Sequence, residues 1–96
     1  MGRLAGMALI AGCTTLAASA YAQSGEALAK SKGCLNCHAI DQPKVGPSFK
    51  EIAAKNRGNS NAEAQLTAKL KEAKGHPKVA LSDAEAKAVV QYVIKQ

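Results

Sequence analysis

Five consecutive residues constrain this chain more than all the rest. Cys34-Leu35-Asn36-Cys37-His38 spells C-x-x-C-H, the spacing at which a c-type haem is attached. Two thiols three residues apart reach both vinyl groups of one porphyrin and form thioethers. The histidine directly after the second cysteine then lies under the iron as a proximal ligand. Two rival chemistries use similar residues. A C-x-x-C redox dithiol normally accompanies a β-α-β pattern, and no strand pattern is visible. A zinc site would need Cys34, Cys37, His38 and the one other histidine, His76.

The first 22 residues read as a secretion signal. Arg3 supplies a positive start, residues 4–16 are mostly apolar and small, and Ala20-Tyr21-Ala22 is an A-x-A cleavage site. The predicted mature chain, 23–96, starts at Gln23 as one domain and is periplasmic. Ile10-Ala11-Gly12-Cys13 also resembles a lipoprotein box, but the A-x-A site is better placed for an ordinary signal. The apolar run is too short and interrupted to span a membrane.

With the leader removed, Phe49 and Tyr92 are the only aromatics, so the chain cannot build a large core. A buried porphyrin would supply the missing apolar mass, and its covalent links would staple the fold. The formal charge of +6 suits an acidic redox partner or an anionic surface. Scattered lysines and scarce aromatics exclude a nucleic-acid platform.

Four helices are expected. The first runs over 25–32, with Ser24 as N-cap, Ala27, Leu28 and Ser31 on one face, and Gly33 as the stop. Residues 39–46 read as a loop. The second helix, 49–57, opens with a Ser48/Glu51 capping box and buries Phe49, Ile52 and Ala53. The third, 62–74, has Ser60/Glu63 or Asn61 at its start and Leu66, Leu70 and Ala73 as its stripe. The fourth, 83–94, has a Ser82/Glu85 box, a Leu81/Ala86 staple, and Ala86, Val89, Val90 and Val93 in a 3.6-residue stripe.

Haem iron in such a setting normally takes a second axial ligand. The two methionines, Met1 and Met7, both lie in the leader, which excludes internal methionine ligation in the mature chain. His76, between Gly75 and Pro77 in the link before the last helix, is the candidate. Lys74 and Lys78 would first have to lose a proton. An exposed His76 with an open distal position is the remaining reading. Two imidazoles favour ferric iron and lower the potential relative to a methionine–histidine pair.

The segments Lys32–Asp41, Val45–Lys55 and Leu81–Ala86 together resemble the small class I bacterial cytochromes c, the monohaem electron carriers of the periplasm. The resemblance runs from about Leu28 to Ile94. It implies an all-α cytochrome c fold around one haem c attached through Cys34 and Cys37. It also implies roles by position. Pro47 matches the proline whose carbonyl accepts from the proximal histidine. Lys69 falls where a basic residue approaches a haem propionate. Tyr92 matches the aromatic that packs the last helix on the first. His76-Pro77 stands in the place of the family's Met-Pro, in a shortened loop. The implied function is single-electron transfer with His38/His76 ligation rather than catalysis. The alternatives are a haem-based sensor of nitric oxide or carbon monoxide with a labile distal ligand, and a haem subunit of a larger redox enzyme. A hetero- or homodimer is compatible with so small a core.

Overall fold

The computed structural model describes residues 24–96. The expected signal, its cleavage site and Cys13 lie outside the described residues. Four helices follow in order: α1 (Gly25–Ser31), α2 (Phe49–Lys55), α3 (Ala62–Glu72) and α4 (Asp83–Ile94). A 3₁₀ turn, Cys34–Asn36, carries the first attachment cysteine and was not anticipated. Among the described residues there is no strand, and no helix is long and apolar enough to cross a membrane.

Helix α4 is the spine against which α1, α2 and α3 all pack. Its expected bounds are the observed ones. Ser82 Oγ accepts from Glu85 N–H, and Ser82 N–H donates back to Glu85 Oε1. These bonds satisfy two backbone donors that a helix start otherwise leaves unpaired. Ala86, Val89, Val90 and Val93 are all buried, as the stripe requires.

Helix α1 crosses α4 closely. A Cβ built on Gly25 would collide with the Ala88 carbonyl and with Tyr92 Cβ, so only glycine permits the approach. Ser24 caps α1 by accepting from Ala27 N–H. The buried pair is Leu28 and Ala29, while Ala27 and Ser31 are exposed. The expected face was therefore rotated: a two-turn helix has too few apolar positions to declare a stripe, and docking on α4 chose it.

In α2, Ser48 Oγ accepts from Glu51 N–H, and the helix gives way at Asn56. Helix α3 departs from expectation at its start. Neither Ser60 nor Asn61 caps it with a side chain. Asn59 organises the turn instead, its Oδ1 accepting from Asn61 N–H and its Nδ2 donating to Gln65 Oε1. Helix α3 ends early, at Ala73, which adopts a left-handed φ of 54°.

Leu28, Ala29, Phe49, Val89 and Val93 form the central core, and Phe49 meets Tyr92 edge-on with ring centroids 6.0 Å apart. At roughly 1.5–3 kcal/mol per fully buried large side chain, so small a core leaves the fold dependent on whatever fills the space beside it.

Candidate haem site

That space is a cavity of about 720 Å³ lined by side chains from α2, α3 and α4 and by the attachment loop. Its size falls within the about 300–1,000 Å³ of cofactor clefts. Phe49 and Ile52 of α2, Leu66 and Leu70 of α3, and Val89, Val90 and Val93 of α4 furnish apolar walls. This explains why the α3 leucines are only half-buried in the protein: their partner is the cavity.

Cys34 and Cys37 line one wall, both as free thiols. Gly33, with a left-handed φ of 80°, breaks α1 and turns the chain into the 3₁₀ segment. Burial pushes the Cys34 thiol above its ordinary pKa, a backbone hydrogen bond opposing it. No three His, Cys, Asp or Glu side chains converge on a common point among the described residues, so the tetrahedral zinc arrangement is not built.

His38 is held on several sides. Its Nδ1 donates to the Pro47 carbonyl at 2.6 Å. A carbonyl can only accept, so the proton sits on Nδ1 and Nε2 is left free. Phe49 lies alongside, with centroids 5.5 Å apart and planes 30° from parallel. Gly46 backs the ring from the chain side. A Cβ there would stand 2.8 Å from Nδ1 and 3.0 Å from Nε2. Gly46 is not among the residues with positive φ, so the position demands space rather than unusual backbone freedom. The sequence reading missed this role, and its only trace was a glycine before Pro47. Four backbone hydrogen bonds knit this wall: Gly46 N–H to Cys37 O, Lys44 N–H to Gly46 O, Phe49 N–H to Ala39 O and Lys50 N–H to Ile40 O. The Lys44 ammonium adds a fifth tie, donating to Leu35 O at 3.0 Å.

His76 faces His38 across the cavity. Their ring centroids are 6.1 Å apart and their planes lie within 5° of parallel. His76 Nδ1 donates to the Pro77 carbonyl at 2.8 Å, again leaving Nε2 free. Metal–imidazole bonds are about 2 Å long. A five-membered ring with bonds of about 1.3 Å has a radius of about 1.1 Å. One metal ion between two facing Nε2 atoms therefore sets the centroids about 6 Å apart, matching the observed spacing. The donor set, the apolar walls and the two thiols fit a covalently attached haem.

Lys69 lines the same cavity, its Cε 3.7 Å from where a Cβ on Gly75 would lie. Lys32 and Lys78 join it, and among the described residues no acidic side chain lines the cavity. Lys32 is drawn toward Glu85 at 3.6 Å. The Glu85 carboxyl is held below its ordinary pKa, first by the backbone donor of Ser82, with burial opposing and Lys32 assisting. The site is thus electropositive at its rim, as a cleft receiving carboxylates requires.

The profile of the cytochrome c family matches residues 22–95. Cytochrome c-551 of Pseudomonas aeruginosa is 40% identical over 97 residues, covering 94% of this chain and 93% of that protein. Wild-type cytochrome c552 of Nitrosomonas europaea superposes with a TM-score of 0.64 at 34% identity, covering 72% of this chain and 95% of that one. The class 1 cytochrome MtoD of Sideroxydans lithotrophicus gives 0.61 at 27% identity, over 74% of this chain and 90% of that one.

Proposed function

This chain belongs to the cytochrome c family, and on that premise we propose that it is a periplasmic, low-potential electron carrier with His38 and His76 as its two axial ligands. It is an electron carrier and not an enzyme, with haem c joined through Cys34 and Cys37. The haem supplies a one-electron iron couple inside the apolar walls. The observation that carries the ligand reading is the pair of parallel imidazoles 6.1 Å apart across the cavity.

The chain's own residues then have distinct tasks. The Pro47 carbonyl orients His38 and raises the basicity of its Nε2, and the Pro77 carbonyl does the same for His76. Phe49, Val89 and Val93 keep water from the inner face. Lys69 faces a propionate, and the Lys32, Lys69 and Lys78 rim orients a partner that is acidic at the contact. The periplasmic assignment rests on the secretion signal over residues 1–22.

His76→Met tests the ligand reading. Axial ligands move haem potentials over about 0.8 V, and a thioether in place of imidazole should raise the potential by hundreds of millivolts on that scale. His76→Ala should change the ferric visible spectrum. A spectrum identical to the parent's would sink the assignment.

A second reading, small-ligand binding at a position His76 vacates, is supported by the loop itself. Residues 77–81 make no backbone–backbone hydrogen bond among the described residues. The ferrous spectrum before and after carbon monoxide separates the two readings. No change belongs to a firm carrier, and a prompt carbonyl spectrum to a labile site.

A further inference from the structure

The segment that carries His76 is closed by one side chain. Residues 76–81 leave α3 through two left-handed residues, Ala73 and Gly75, and rejoin the helical framework at Ser82. With no backbone–backbone hydrogen bond over residues 77–81 among the described residues, the chain depends on side chains at its two ends. Lys71, in the last turn of α3, donates from its ammonium to the Leu81 carbonyl at 2.8 Å. It also reaches Asp83 Oδ1 at 3.0 Å. Lys71 precedes the loop and Leu81 ends it, so this bond ties the base of the loop shut. The Leu81 side chain is itself buried, which holds the carbonyl where the ammonium can reach it. Asp83 is 92% exposed at its side chain, so water and salt screen that pairing. The bond to Leu81 is partly buried and charge-assisted, and it is the stronger tie.

We infer that Lys71 is a positioning residue for the distal site: its strap across the loop base sets how long His76 stays in place. The inference rests on the reading of His76 as an axial ligand. With the base tied, the loop resists the excursion that carries His76 out of the cavity. With the base open, the loop gains conformations in which His76 points away, so departure meets less resistance.

The experiment is stopped-flow mixing of the ferrous holoprotein with excess carbon monoxide. Where His76 must leave first, the observed rate levels off at high carbon monoxide, and the plateau is the His76 dissociation rate. Lys71→Met keeps the aliphatic stem and the helix but removes the donor. Its plateau should rise about tenfold, the effect of losing one hydrogen bond from a charged donor. Lys71→Gln, too short to reach Leu81, should do the same. Lys71→Arg keeps a donor and should stay within about twofold of the parent. If the Met and Gln variants both keep the parent's plateau and lose only thermal stability, Lys71 is merely structural and the inference is overturned. A parent protein with a high-spin ferrous spectrum and a rate that never levels off would instead remove the His76 ligand reading, before any Lys71 variant is made.

Discussion

The two histidines of the site stand on walls of opposite construction. His38 sits in a loop stitched by backbone hydrogen bonds, clamped at Nδ1 by Pro47 and pressed between the Gly46 backbone and the core residue Phe49. His76 opens a loop whose residues 77–81 make no backbone–backbone bonds among the described residues, held by its own neighbour Pro77 and by the Lys71 strap. Both rings donate from Nδ1 to a proline carbonyl, and their planes are parallel within 5°. The difference is in what moving each would cost. Moving His38 disrupts the wall beside the core, whereas moving His76 strains a loop tied at its base by one partly buried side-chain hydrogen bond. One histidine belongs to the fold, and the other stands on a loop that the fold positions.

The comparison can be broken hardest at Phe49. It is 2% exposed and touches His38, Tyr92 and the cavity. Phe49→Ala should cost about 3–5 kcal/mol of holoprotein stability, read by guanidinium unfolding at the Soret band. A loss under about 1 kcal/mol, the scale of a surface substitution, would mean that the proximal wall is not part of the core.

Gly46 sharpens the same contrast. Gly46→Ala drives a methyl into the His38 ring and should cost about 1–3 kcal/mol, the range for overpacking. It should also alter the low-spin ferric resonance spectrum by turning the imidazole. An unchanged spectrum in a destabilised protein would separate packing from ligand orientation.

On the distal side a substitution should stabilise. Ala73 occupies the left-handed region at the end of α3, where an L-residue with a Cβ is strained by roughly 1–2 kcal/mol. Ala73→Gly returns part of that strain but frees the unfolded chain. The expected net gain is about 0.5–1 kcal/mol, measured as a higher denaturant midpoint with unchanged slope.

The smallest effect is in acid. Glu85 closes the capping box at the start of α4, and its carboxyl lies below its ordinary value of 4.5. A depressed carboxyl contributes stability that is present above 4.5 and lost as pH falls through the lower folded value. Glu85→Gln should therefore be less stable than the parent at neutral pH. The gap should close below pH 4.5, where the parent's own carboxyl takes up its proton. A gap that persists unchanged to lower pH would assign the loss to packing.

Several of these features were legible in the chain itself. Helix α4 was readable to the residue, because Ser82, Glu85 and four small apolar residues act over one to three turns of backbone. The attachment turn and the absence of any methionine after Met7 were equally plain, since both are matters of residue type and spacing. The Ser48 cap of α2 was read correctly, while the expected cap of α3 at Ser60 was not. There Asn59 accepts from Asn61 N–H and donates to Gln65, a pairing across six residues that residue type alone does not announce.

What the sequence determined by itself was therefore local: which segments become helices, which cysteines attach the haem, and that His38 and His76 are its two histidines. The tertiary structure decided which face α1 buries, because Gly25 lets α4 come close enough to select it. It decided that Gly46 backs His38 and that Lys71 reaches across to Leu81. Above all it set the two imidazoles parallel at 6.1 Å. Caps and turns are closed by bonds between residues three or four apart, so the sequence carries them whole. The pairing of His38 with His76 joins residues far apart in the chain, and its geometry exists only once α2, α3 and α4 have packed around a common cavity.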